Sequence, residues 1–133
     1  MTTAPSSAPL SATGGVRTIL RIEGLVLLAA ALLLYRQAGA SWLLFGELFL
    51  VPDLSFAGYF FGPRAGAATY NAVHSTLGPL MLATAAMASG MQLPFTLALI
   101  WLAHVGFDRA LGYGLKYASG FRDTHLGRIG RHS

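Results

Sequence analysis

Four apolar stretches, residues 19–35, 42–61, 65–89 and 95–111, take up most of the 133-residue chain and decide what it can fold into. A helix needs about 20 apolar residues, within about 17–25, to cross the hydrocarbon core of a bilayer. All four stretches fall in or close to that range. Charged residues make up only 11% of the chain, less than half of the roughly 25% usual in soluble domains. A water-soluble surface cannot be assembled from so few. The expected fold is an all-α membrane protein with four transmembrane helices.

The connections are short and punctuated by Gly or Pro: "RQAGAS" (36–41), "GPRAG" (62–66) and "GMQLP" (90–94). Short links force antiparallel neighbours, so the expected topology is an up-down-up-down bundle over residues 18–114. Residues 1–17 are rich in Ser, Thr, Ala, Pro and Gly and read as a flexible tail. No basic region precedes an apolar core there, so they do not read as a signal peptide. Residues 115–133 form a basic tail. Arg17, Arg21, Arg64, Arg109, Lys116, Arg122, Arg128 and Arg131 fall on the side of the termini, and Arg36 alone on the other. This positive-inside bias places both termini in the cytoplasm and the protein in a bacterial inner membrane. The formal net charge of +4 is then matched to anionic lipid headgroups rather than to nucleic acid, for which no motif is present. The absence of cysteine excludes disulfides and thiolate chemistry.

Acidic residues are distributed differently. Of five, Glu23, Glu47, Asp53 and Asp108 lie in apolar stretches and only Asp123 in the tail. His74, His104 and Asn71 are also intramembrane. A charged group at a helix centre costs about 2.5–3.5 kcal/mol on insertion scales, so such residues are expected to face the interior and pair. His104 lies roughly 15 Å along its helix from Pro94, near the midplane, at 1.5 Å per residue. Asp108 is one turn further on the same face. Glu23, Asp53, Asn71 with His74, and His104 with Asp108 are thus predicted to share one slab in the cytoplasmic half. Pro52 and Pro79 free the carbonyls of Leu48 and Ser75 within it.

The slab has a bland use and several sharper ones. Polar contacts can serve as packing glue, helped by the Gly106, Ala110, Gly114 stripe, with Arg109 snorkelling and Tyr113 and Tyr117 at the interface. That reading makes the protein a non-catalytic scaffold or partner subunit. Serine, threonine or asparagine would pack helices more cheaply than two histidines and three carboxylates. The leading reading is a site of Glu23, Asp53, His74, His104 and Asp108 for acid–base chemistry on a lipid-soluble small molecule. The same types suit a metal, with His104 and Asp108 joined by His74 and Glu23, although no Glu-x-x-His occurs. A transport path would require the four short helices to oligomerise. The sequence selects no cofactor. Asp123 and His125 read as solvated tail residues.

"RIEGL" (21–25), "PDLS" (52–55), "YNAVH" (70–74) and "WLAHVGFDRALGYGLKY" (101–117) with "GFRDTHLGRIGR" (120–131) closely resemble a family of small bacterial integral membrane proteins, domain of unknown function 4260. The resemblance extends from Arg21 to about Arg131. It implies a membrane protein and carries no assigned activity. Its motif positions include Glu23, Asp53, Asn71, His74, His104, Asp108, Arg109, Lys116, Asp123 and His125.

Overall fold

The computed structural model describes residues 14–115, 123–124 and 126–128. The tail over 1–13 and the side chains of Lys116, Tyr117, Arg122, Asp123, His125, Arg128 and Arg131 lie outside the described part. Helix α1 (Gly14–Ala38) is built from Leu- and Ala-rich sequence with high helix propensity. It begins inside the segment expected to be tail, and Gly39 closes it with a φ of 70°. Helix α2 (Trp42–Leu48) starts at the N-cap Ser41. Pro52 has no N–H, and around it the chain continues as a 3-10 helix, Val51–Phe61. Gly62, at φ 105°, turns the chain into α3 (Pro63–His74). Ser75 is extended, and α4 (Leu77–Ser89) follows. Helix α5 (Gln92–Leu111) ends at Gly112, in the left-handed region. Beyond it Asp123–Thr124 (β1) pairs antiparallel with Gly127–Arg128 (β2).

The four apolar stretches are therefore four helical segments, but two of them are not single α-helices. The second changes from α to 3-10 geometry ahead of Pro52. The third breaks at Ser75–Thr76, where Pro79 cannot donate to the Ser75 carbonyl. Gly14–Ala38 and Trp42–Phe61 are long and apolar enough to cross a membrane.

Helices α1 and α5 run antiparallel along their whole length. Gly24 meets Ala110, Gly106 meets Leu28, Ala31 clusters with Ala103 and Tyr35 with Leu99. Glycine is required at the crossing: a Cβ on Gly106 would lie 2.7 Å from Leu28 N, and one on Gly24 2.4 Å from Arg109 Cβ. At the far end the Tyr35 hydroxyl donates to the Ser41 carbonyl. At the near end Arg21 Nε donates to Ala110 O at 3.0 Å and Arg17 Nε to Leu126 O. The first arginine thereby satisfies an orphan carbonyl at the negative end of α5.

The 3-10 helix lies antiparallel on α3. With three residues per turn it buries Pro52, Ser55 and Gly58 along one edge. Gly58 approaches Thr69, and Gly66 approaches the ring of Tyr59. Helix α4 packs on α5, with Gly78 against the indole of Trp101. Large apolar side chains point outward, among them Leu43, Leu54, Leu77, Phe60 and Phe61.

Candidate metal centre

The helix breaks leave carbonyls that would otherwise be spent inside helices. Asp53 N donates to Leu50 O at 3.0 Å, an i to i−3 bond of the 3-10 helix. The Phe49 carbonyl, its partner in a continuous α-helix, is free to accept from His104 Nδ1 at 2.7 Å. At the end of α3, Val73 O accepts from Trp101 Nε1 at 2.6 Å and His74 O from Arg109 Nη2 at 3.2 Å. Arg109 thus reaches into the protein rather than snorkelling outward. The proline signal was legible; which carbonyl each break would release was not.

His74 and His104 are almost fully buried, at 3% and 1% exposure. Their rings are fixed in complementary ways. His74 stacks on Tyr70 with centroids 3.8 Å apart, and His104 meets Phe49 edge to face at 5.3 Å. Nδ1 of His74 lies 3.0 Å from the Tyr70 carbonyl. A carbonyl can only accept, so both Nδ1 atoms carry hydrogen, and in the neutral rings both Nε2 atoms present lone pairs.

These two lone pairs face each other across 3.1 Å. Asp53 Oδ1 lies 3.2 Å from His74 Nε2 and 3.1 Å from His104 Nε2. Asp108 Oδ2 lies 3.6 Å and 3.2 Å from the same two atoms. All four atoms lie within 4.8 Å of one another. With both rings neutral, four acceptors meet here and repel unless a proton or a metal cation sits among them. One proton could bridge one or two of these pairs; a divalent ion at the centre satisfies all of them and cancels the two carboxylate charges. A tetrahedron with ligand bonds of about 2.0–2.1 Å, the range of zinc with nitrogen and oxygen, has edges of about 3.3–3.4 Å. The five separations that involve a histidine nitrogen, 3.1–3.6 Å, lie on either side of that value, and the two carboxylate oxygens lie within 4.8 Å of each other. Both imidazoles also donate their other N–H to a carbonyl, the usual outer-shell support of a metal-bound histidine.

Four of the five residues singled out in the sequence, Asp53, His74, His104 and Asp108, therefore converge. Glu23 does not join them. It is exposed on the outer side of α1 beside Ile19, Ile22, Val26 and Leu27, because its neighbour Gly24 takes the position facing α5. Asp53, not Glu23, completes the ligand set. Asn71 is half-buried on α3 and Glu47 is exposed on α2, both outside the quartet. Sequence reasoning missed the supporting residue Ser55, whereas Trp101 falls on the helical face of His104 and Asp108, as its spacing indicates. Ser55, 3.5 Å from His74 Nδ1, had only its place in "PDLS".

Fold and site together define a predominantly helical protein, with two helices apolar enough to cross a membrane and a two-histidine, two-aspartate cluster, its histidines buried, able to hold one metal ion. A family model, Domain of unknown function (DUF4260), matches residues 17–129. The chain belongs to that family. No curated protein and no solved structure matches it.

Proposed function

We propose that this protein is a four-span bacterial inner-membrane metalloprotein with both termini in the cytoplasm. Its bundle holds one divalent transition-metal ion, Zn²⁺ by geometry, on Asp53, His74, His104 and Asp108. The convergence of four ligand atoms from two histidines and two aspartates within 4.8 Å of one another carries this reading. Outward apolar side chains such as Phe60 and Phe61, 90% and 85% exposed, support lipid as the surrounding medium. The Lys/Arg asymmetry supports the orientation. A bound divalent ion supplies Lewis-acid polarisation or an activated water, and the surrounding apolar bundle suits a lipid-soluble molecule as its substrate. The protein binds the bilayer, not nucleic acid.

The test is elemental analysis of protein purified gently in detergent. We expect close to one zinc, or another first-row divalent ion, per chain, and loss of it in His104→Ala with helical content retained. A wild-type protein free of stoichiometric metal, and unable to take up Zn²⁺ or Co²⁺, would remove the proposal.

A further inference from the structure

We infer that the metal centre is open to substrate: Asp53 is its exchangeable ligand, and the incoming molecule is an amphiphile with an oxygen head and a hydrocarbon body. This rests on the proposed metal site and adds to it which ligand leaves and what replaces it.

The four ligands are not held alike. The side chains of His74 and His104 are 3% and 2% exposed and Asp108 is 16% exposed, whereas Asp53 is 37% exposed. Each histidine has a carbonyl behind it, and Asp108 shares the α5 backbone with His104. The Asp53 and Asp108 carboxylates meet the same two Nε2 atoms, so what sets Asp53 apart is its greater exposure. Asp53 is also carried by a 3-10 helix of 11 residues, where runs beyond about 3–4 residues are uncommon because the hydrogen bonds are poorly aligned. Two histidines and Asp108 make a three-residue set of the kind catalytic metal sites use, which leaves a fourth position for substrate or water. A closed structural site would bury all four ligands equally.

The same 3-10 helix walls a cavity of about 580 Å³ between itself, α3 and α5. That volume lies within the roughly 300–1,000 Å³ of small-molecule sites. Val51, Leu54, Val73, Leu97, Ile100 and Trp101 make it apolar, so its occupant is hydrocarbon. Three residues per turn put Asp53 on the remaining side of the helix from Leu54 and Ser55. Ser55, in the cavity wall, reaches His74. Any shift of this helix that lifts Asp53 off the metal also reshapes the cavity wall. None of the four ligands lines the cavity itself, so filling it acts on the coordination position through the 3-10 helix that walls the cavity and carries Asp53. The head is a carboxylate, carbonyl or similar oxygen donor, matched to the Asp53 oxygen it displaces.

The test uses full-length protein in detergent, loaded with Co²⁺, in a Trp42→Phe background that leaves Trp101 as the only tryptophan. Asp53→Ala should keep the metal with affinity lowered about 10- to 100-fold, while His104→Ala should lose it. Acetohydroxamic acid should weaken and shift the visible absorption of four-coordinate Co²⁺ as a fifth donor arrives. A dibrominated stearic acid should change the same spectrum and quench Trp101 fluorescence saturably, at the same concentration. Leu97→Phe, which fills the cavity, should weaken that quenching about tenfold, the loss of a well-buried apolar contact, with metal content unchanged. Loss of metal from Asp53→Ala as complete as from His104→Ala would overturn the inference, as would a spectrum indifferent to hydroxamate. Quenching that never saturates, or survives Leu97→Phe, would overturn the amphiphile as occupant. A wild-type chain that takes up no metal instead defeats the proposed function, and the absorption experiment then has no signal.

Discussion

His104 is held from three directions: the Phe49 carbonyl on Nδ1, the Phe49 ring on its face, and the carboxylates at Nε2. His74 is held similarly by Tyr70, with Ser55 as a second, longer contact at 3.5 Å against 3.0 Å for the carbonyl. The two distances rank the contacts. Ser55→Ala should lower metal affinity by less than about tenfold, the mild end of outer-shell substitutions, in competition with a chelator. A hundredfold loss would make Ser55 the principal support of the ring. The pair His104 and Asp108 was legible because i and i+4 share a helical face and both are costly in lipid. Glu23 was not, because α1 is apolar nearly all round and its pattern does not say which side faces α5. Only Gly24, the residue that permits close approach, marks that side, and a glycine among leucines gives a weak signal. A metal stands in the sequence as an alternative use of the same residue types, behind acid–base chemistry, for a related reason. Its ligands come from three segments far apart in sequence, and no local Glu-x-x-His spacing announces them.

At the scale of elements, the two proline-marked breaks make the site. Prolines 52 and 79 pointed to freed carbonyls, and the third segment does divide just ahead of Pro79. The 3-10 geometry of Val51–Phe61 was hidden, since its apolar composition suits an α-helix as well. Its signature is the burial of Pro52, Ser55 and Gly58 at intervals of three, which only the folded chain displays. Pro52→Ala restores an N–H able to bond Leu48 O and lets the segment continue as α-helix. Asp53 N could then reclaim the Phe49 carbonyl and withdraw it from His104. We expect metal affinity to fall about 10- to 100-fold, as when an outer-shell partner of a ligand is lost, with far-UV helical content unchanged or slightly higher. Unchanged affinity would show that the break does not orient His104.

For the whole molecule, the proposed orientation makes a simple demand. The chain has no cysteine, so single cysteines report sidedness without interference. Gln37→Cys, exposed beside the first link, should react with an impermeant maleimide on intact spheroplasts. Arg64→Cys, exposed at the start of α3, should react only after lysis. The reverse pattern would invert the protein in the membrane. The pairing of α1 with α5 has another consequence, for synthesis. The helix made first finds its main partner in the helix made last, and residues 39–91 must emerge before the two can meet. Until then the glycine notch at Gly24 faces no partner helix, and the quartet lacks both α5 ligands. Assembly of the centre is thereby deferred to the end of translation, so a ribosome-stalled chain ending before Gln92 should be degraded rather than accumulate as a half-loaded intermediate.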